Sequence, residues 1–487
     1  MTSSLRPHLL YNRKRGWRAA LRVRGRQRIA ISRVLLVGAC LLGSGVLPLA
    51  AVPLARPYTV ESYDVTIRPN LATQRLDGQI AIRIHSRVDM AITALELDAG
   101  TLQIASVEEG PDRQWFERKG SSLFVVLTKP LYPDEHRTLT LRYQAGPSPG
   151  LKFFSDQVYG SVTTDWMPCN DRPEERATLH LTIAAPQKTI AAASGQLTGS
   201  RAENEESITE WQLNSAVEPS WFGFAVGNFA ENTSEADGVK LRVLGGNRDI
   251  LDPTAAAMRF LTERAGKGYP GANYTQVFVH GGTTHAAAGL ALLPEFNPAA
   301  SPNKQDLPRL ITDELAQQWY GIGIAPKDWS DLWLSEGLSA FLADEFLAQR
   351  FGKESYQKQI EQSLENYKLL RAEGKDHPLS NSDWTSRQDL DQKTAVQKGV
   401  CFLYALNELV GDSAFSNAMR LYTDGHWGQM AASEDFQNAF RAVYSGDQNK
   451  PRKKQLRPRK GNTDPPETSL DKLFDSWVYG VPSGHSR

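Results

Sequence analysis

Cysteine is scarce in this chain, with three in 487 residues. Cys40 falls in an apolar N-terminal run, while Cys169 and Cys401 stand far apart in sequence. Spacing alone does not make those two a disulfide. No C-x-x-C pair occurs, which excludes a zinc ribbon or a thioredoxin-like site built on that spacing. No internal repeat is evident, so a solenoid is excluded as well. Acidic residues are absent from residues 1–33, which carry ten Lys or Arg. Charge of either sign is absent from residues 34–55. The formal net charge of the chain is zero, so residues 56–487 hold 45 basic against 55 acidic residues. That acidic body argues against nucleic acid as a main partner.

What the N-terminus does have is the pattern of a targeting segment. A basic stretch leads into an uncharged, mostly apolar run of 22 residues, with small residues near Ala50 and Ala51. This is the order of a secretory signal. The same run is just long enough to span a bilayer as an uncleaved anchor with its basic side cytoplasmic. Val37-Gly38-Ala39-Cys40 also loosely matches a lipoprotein processing site. These readings stay open, and all of them make the chain exported: periplasmic or extracellular, or membrane-anchored by residues 34–55. The basic stretch is long for a signal, which fits a start codon further downstream.

Past residue 55 the apolar pattern changes once. Ile80, Ile82 and Ile84 alternate with Ala81 and Arg83, and Leu139, Leu141 and Tyr143 and Leu179, Leu181 and Ile183 alternate likewise. A period of two is that of half-buried antiparallel strands. Turn signals such as Pro69-Asn70 and Asp77-Gly78 separate the strands. From about Gly238 the pattern is mixed. Short β segments at Leu241–Leu244 and Thr275–Val279 flank a helix over about Thr254–Arg264. A helix is expected after Asp306, read as its N-cap, with Pro308 in its first turn. Another is expected from about Ser330, and helices dominate to the C-terminus. The expected fold is α+β. An antiparallel β-sandwich-like domain over 56–235 is followed by a mixed, mainly helical domain over 236–487, with a basic insertion at 450–460.

Within the second domain, Asp313-Glu314-Leu315-Ala316-Gln317 occupies the place of an H-E-x-x-H helix with both histidines missing. Positions i and i+4 project from one helix face. In the intact motif two imidazoles there bind zinc, and the Glu between them polarises the metal-bound water. Leu334-Ser335-Glu336-Gly337 follows, with 18 residues between Gln317 and Glu336. That is the spacing at which a Glu completes a His2Glu site with one open position. Asp313 could still ligate a hard cation, but Gln317 offers only a neutral amide oxygen, which suits zinc poorly.

At this point the chain resembles the gluzincin zinc aminopeptidases of the membrane alanyl aminopeptidase and leukotriene hydrolase type. The resemblance runs from about Tyr58 to Pro482. I-T-D-E-L-A-Q-Q-W-Y-G and D-W-S-D-L-W-L-S-E-G are similar to that family's H-E-L-A-H-Q-W-F-G and W-x-D-L-W-L-N-E-G. Trp166 to Asp171, Ser220 to Phe229 and Leu470 to Trp477 match further family segments in the same order. The resemblance implies a thermolysin-like catalytic-type domain and a zinc cofactor. It also implies an amine-binding Glu, where Thr283-Thr284-His285-Ala286-Ala287-Ala288-Gly289 puts Ala286. A methyl group does not pair with an ammonium. The family's oxyanion Tyr, two residues before a Lys-Gly, aligns with Val396, which has no donor for a tetrahedral intermediate. The long helical C-terminal domain of larger members has no counterpart in this sequence.

Glu314 and Glu336 are therefore the retained positions. Asp313 and Gln317 are the replaced ligands, and His285, Ala286 and Val396 line the former substrate cleft. The expectation is a catalytically idle peptidase homologue that needs no cofactor and binds a peptide or protein through that cleft. Two alternatives stay open. One is an active hydrolase with a rebuilt metal site, using Asp313 and Glu336 with His285 or His280. The other is a structural or assembly subunit with an idle cleft. The plainer expectation for single residues is a hydrogen bond between Asp313 and Gln317, and core packing for Val396 beside Val400 and Phe402. Lys450–Lys460 holds seven positive charges in eleven residues. It reads as a solvated loop or as a dock for an anionic surface.

Overall fold

Alternation builds the first half of the molecule. In the strand Arg75–Ser86, Ile80, Ile82 and Ile84 all face the interior. The computed structural model describes residues 56–296, 303–384, 392–444 and 469–480. The targeting segment, Cys40 and the basic run Lys450–Lys460 lie outside the described residues. The largest sheet has eight strands, in the order Gln196–Glu203, Glu206–Val217, Ala177–Pro186, Tyr58–Asn70, Arg75–Ser86, His136–Ala145, Gln103–Glu109 and Asp112–Arg113. Its pairs are antiparallel except one: Tyr58–Asn70 runs parallel to Ala177–Pro186, with Ser62 opposite Thr178 and Ile67 opposite Ile183. A three-stranded and a four-stranded sheet add further layers. Their inward residues meet in one core that includes Val60, Ile82, Val125, Val158 and Leu179.

The second half begins with a five-stranded sheet ordered Glu231–Ala236, Val239–Leu244, Asn273–Val279, Leu290–Pro294 and His285–Ala287. The three central strands are parallel and the two edges antiparallel. Strands buried on both faces read as continuous apolar runs, as Leu290–Pro294 does. Among the described residues this half has eight α-helices, the first set between strands of the sheet and the rest after it: α1 (Leu251–Ala265), α2 (Asp306–Ala316), α3 (Trp333–Phe351), α4 (Lys353–Ala372), α5 (Gln392–Val410), α6 (Asp412–His426), α7 (Ser433–Val443) and α8 (Ser469–Trp477). They bury a second core around α3. Trp333 meets Phe402 and Phe436 edge to face, with ring centroids 5.5 and 5.6 Å away. Its indole donates to Ser433 Oγ at 2.9 Å, so the polar edge of the ring is not stranded.

The start of α2 differs from the expectation. Asp306 is not the N-cap; Gln305 holds that place, and its carbonyl accepts from the Arg309 amide at 3.0 Å. The Asp306 carboxylate accepts from the Asn303 amide at 2.5 Å, and Asp306 itself is the first residue of the helix. Pro308 sits in the first turn as expected, where its missing N–H costs no helical bond.

Candidate functional site

The packing of α2 against α3 places the two halves of the motif together. Glu314 on α2 feels the charges of both Asp313 and Glu336. Its side chain is buried, and Oε2 has no hydrogen-bond partner. Burial, then those two neighbouring carboxylates, holds the Glu314 carboxyl well above the usual range. Tyr274, buried in the strand Asn273–Val279, comes near enough for the Glu314 charge to add to what burial does to its phenol. The Tyr274 hydroxyl is also without a partner.

Asp313 does not bond to Gln317. Its ionic partner is Arg309, one turn back, at 3.9 Å. Arg309 is itself fixed by Asp344 on α3, with Nε donating to Oδ1 at 2.6 Å. Asp344 is fully buried, and its Oδ2 has no partner. Burial pushes Asp313 up to about 6; Arg309 acts against this and Asp344 adds to it. Gln317 closes α2 as its C-cap and is buried.

These residues do not fit a His2Glu zinc site. A guanidinium stands beside one ligand position and a neutral amide occupies the other, where zinc takes imidazole, thiolate or carboxylate. Among the described residues no group of three or more His, Cys, Asp or Glu is placed to hold a metal ion. The two histidines considered for a rebuilt site are engaged elsewhere. His280 lies 2.8 Å from Glu295 and 3.2 Å from Asp156. His285 Nε2 lies 3.3 Å from the Phe222 carbonyl.

The former cleft strand His285–Ala287 is the edge of the five-stranded sheet, with Ala286 buried opposite Ala291. Gln318 holds it there. Its Oε1 accepts from the Gly289 amide at 3.0 Å, and its Nε2 donates to the Ala287 carbonyl at 2.9 Å. Val396 is half-buried on α5 and packs on the second core. Two residues on, buried Lys398 reaches Asp376 at 3.1 Å. Arg309, Asp344 and Gln318 were not singled out from the sequence. The four-residue step from Arg309 to Asp313 was a readable signal; the other contacts depend on tertiary structure. Cys169 and Cys401 are both buried free thiols.

Residues 59–218 match the Peptidase M1 N-terminal domain, and residues 255–477 match the Peptidase family M1 domain. Aminopeptidase B of Rattus norvegicus is 22% identical over 391 residues, covering 74% of this chain and 58% of that protein. Aminopeptidase M1 of Arabidopsis thaliana is 24% identical over 446 residues, covering 81% of this chain and 49% of its own length. The chain thus spans about half the length of these relatives. An M1 zinc metallopeptidase of Deinococcus radiodurans superposes with a TM-score of 0.69 at 22% identity, over 87% of this chain and 94% of that one. A variant of it was solved with a Tyr-Ser-Ala substrate. Both domain models match in the order the fold requires, and the chain belongs to peptidase family M1.

Proposed function

We propose that this M1 chain is an exported, catalytically idle homologue of the aminopeptidases that binds a peptide or protein through the former active-site cleft. The observation that carries this is the Arg309–Asp313 contact, with Gln317 at the second ligand position. Asp313 has a guanidinium for its neighbour, and Gln317 offers zinc only a neutral amide oxygen. Losses at Ala286 and Val396 support the same reading, because the amine anchor and the oxyanion donor disappear with the metal ligands. The cleft strand is nonetheless kept in place by Gln318. In the Deinococcus fold relative, a tripeptide substrate is bound, which supports a peptide as ligand. Residues 1–55 support export, with cleavage or anchoring as its two forms. The basic run Lys450–Lys460 supports contact with an anionic surface.

A second reading has its own observation. Asp313 and Glu336 each act on the buried Glu314 carboxyl, and a hard cation drawn in beside Glu314 would relieve that repulsion, although the three are not already placed as a metal site. One experiment separates the two. The full chain is purified with zinc, manganese and calcium available; its metal content is measured, together with hydrolysis of aminoacyl anilides. Less than about a tenth of an equivalent and no hydrolysis supports the idle enzyme. About one equivalent, with activity lost to a chelator, overturns it. Binding of unblocked tripeptides, weakened by Glu336→Ala, would separate a working cleft from a purely structural subunit.

A further inference from the structure

A cavity of about 250 Å³ lies between the strand pair Gln196–Glu203 and Glu206–Val217, at the edge of the eight-stranded sheet, and Tyr269, Gln318 and Trp427 of the second half. None of Glu314, Glu336, Ala286 and Val396 lines it, so it is separate from the former metal site. Junctions between domains are a common place for small ligands, and this volume, just under the usual range, suits a small one.

The charge in the lining is of one sign. Arg176 lines the cavity, and no Asp or Glu does. Its Nε donates to the Ala216 carbonyl and its Nη1 to the Gly428 carbonyl, each at 3.0 Å. One carbonyl comes from each half of the chain, so the plane of the guanidinium is fixed across the junction. Nη2 has no hydrogen-bond partner among the described residues, and it is not closed off from solvent. Glu218 is the carboxylate whose charge reaches Arg176. It is buried, and its Oε1 accepts from Ser220 Oγ at 2.6 Å. Burial pulls the Arg176 guanidinium down from its usual range, with Glu218 acting against this. A half-buried guanidinium with one arm open takes a carboxylate through charge-assisted bonds.

The walls beside it are flat and apolar. Trp427 is half-buried. Tyr269 is held by its hydroxyl, which donates to the Asn273 carbonyl at 3.0 Å, and by an edge contact with Trp319 at 5.8 Å between centroids. Leu213 and Ile322 add aliphatic surface. Lys267 Nζ lies 5.8 Å from the Trp427 ring centroid, which brings a second positive charge near that wall. The polar residues Gln196, Gln212 and Asn273 are neutral, so nothing in the lining repels an anion.

We propose that this cavity binds a small carboxylate with a flat apolar body, the carboxylate on Arg176 Nη2 and the body against Trp427 and Tyr269. A free arylalkanoic acid and the C-terminal aromatic residue of a peptide share that chemistry. Gln318 lines the cavity and also holds the cleft strand through Gly289 and Ala287, so the ligand shares a wall with that strand. The site does not depend on whether the chain hydrolyses peptides.

The test is calorimetric titration of the full chain with 3-phenylpropionate, and with 3-phenylpropionamide as the neutral isostere. Saturable one-to-one binding of the acid and none of the amide is expected. Arg176→Gln should weaken it about tenfold or more. Gln196→Glu, at an exposed position that does not endanger folding, sets a carboxylate in the wall and should weaken it by a smaller factor. Glu336→Ala should leave it unchanged, which separates this site from the former cleft. N-acetylphenylalanine distinguishes the two sources: competition with the acid supports a peptide C-terminus, and its exclusion supports a free acid. Equal binding of the amide, acid binding indifferent to Arg176→Gln and Gln196→Glu, loss of binding in Glu336→Ala, or no saturation up to about 10 mM would each overturn the proposal.

Discussion

Gly337 on α3 and Gly399 on α5 meet backbone to backbone. A Cβ placed on Gly399 would stand 2.9 Å from the Gly337 Cα, and one on Gly337 would stand 3.2 Å from the Gly399 Cα. This crossing sets Glu336 against the helix that carries Val396 and Lys398. It is therefore the joint on which the former active site is assembled. Gly399→Ala should lower stability by about 1–3 kcal/mol, because the obstructing atom is backbone and moves only with its helix. The comparison is Gly425→Ala on α6, where a Cβ meets nothing within 4 Å and alanine should gain up to about 1 kcal/mol. Urea unfolding of both variants decides it, and equal effects would mean the helices are not in contact there.

Arg309 and Asp344 form the charge pair that the sequence hid. Asp344 is fully buried, so removing the guanidinium leaves an uncompensated carboxylate in the core. Arg309→Met should cost about 3–5 kcal/mol. Asp344→Asn in the same chain should recover a large part of that loss, since the stranded charge is then gone. A double-mutant cycle measured by denaturant unfolding reads the coupling. Additive losses would show that Arg309 serves some other partner.

Much of the fold is written locally, and the site only partly. Ile80, Ile82 and Ile84 disclose their strand because a half-buried strand demands period two. Glu314 and Glu336 disclose the site because helix spacing and the D-L-W-L-S-E-G segment are local patterns. Asp306 misled, since an N-cap is decided by where the backbone turns helical, and that happens one residue earlier, with Gln305 in the cap place. The 35-residue step from Arg309 to Asp344 and the approach of Gly337 to Gly399 leave no local trace. Both exist only after α3 has packed against α2 and α5. The parallel pair Tyr58–Asn70 with Ala177–Pro186 was hidden for the same reason: neither strand differs in alternation from its antiparallel neighbours.

Asp331 should make stability depend on pH in an unusual direction for an aspartate. Its Oδ1 accepts from the Ser433 amide and hydroxyl, each at 2.7 Å. Burial outweighs those bonds and pushes the carboxyl up to about 6 from its ordinary 3.8. Between those values the folded chain holds a proton that the unfolded chain has released, so this residue's contribution falls as pH rises through about 4 to 6. Asp331→Asn keeps an acceptor for Ser433 and does not titrate. Relative to the parent, the variant should gain on the order of 2–3 kcal/mol between pH 4 and pH 7. Unfolding free energies at several pH values test this, and parallel profiles for the two proteins would refute it.

Restoring the two histidines asks whether the scaffold still holds the old geometry. Gln317 keeps helical backbone angles, φ −64° and ψ −16°, so positions 313 and 317 still project from one face of α2. Glu336 is in electrostatic contact with that helix through Glu314. The chain carrying Asp313→His and Gln317→His should therefore take up about one zinc ion, and the parent should take less than about a tenth. Zinc should also raise the melting temperature of the double variant alone, as any ligand of the folded state does. Hydrolysis should not return with the metal. Ala286 offers no anchor for an amine and Val396 no donor for the oxyanion, and the second loss alone is worth about a hundredfold or more. Failure to bind zinc would place α2 and α3 outside ligating register. Full hydrolysis by the double variant would show that Ala286 and Val396 are no obstacle and that the replaced ligands alone account for the inactivity proposed for the parent.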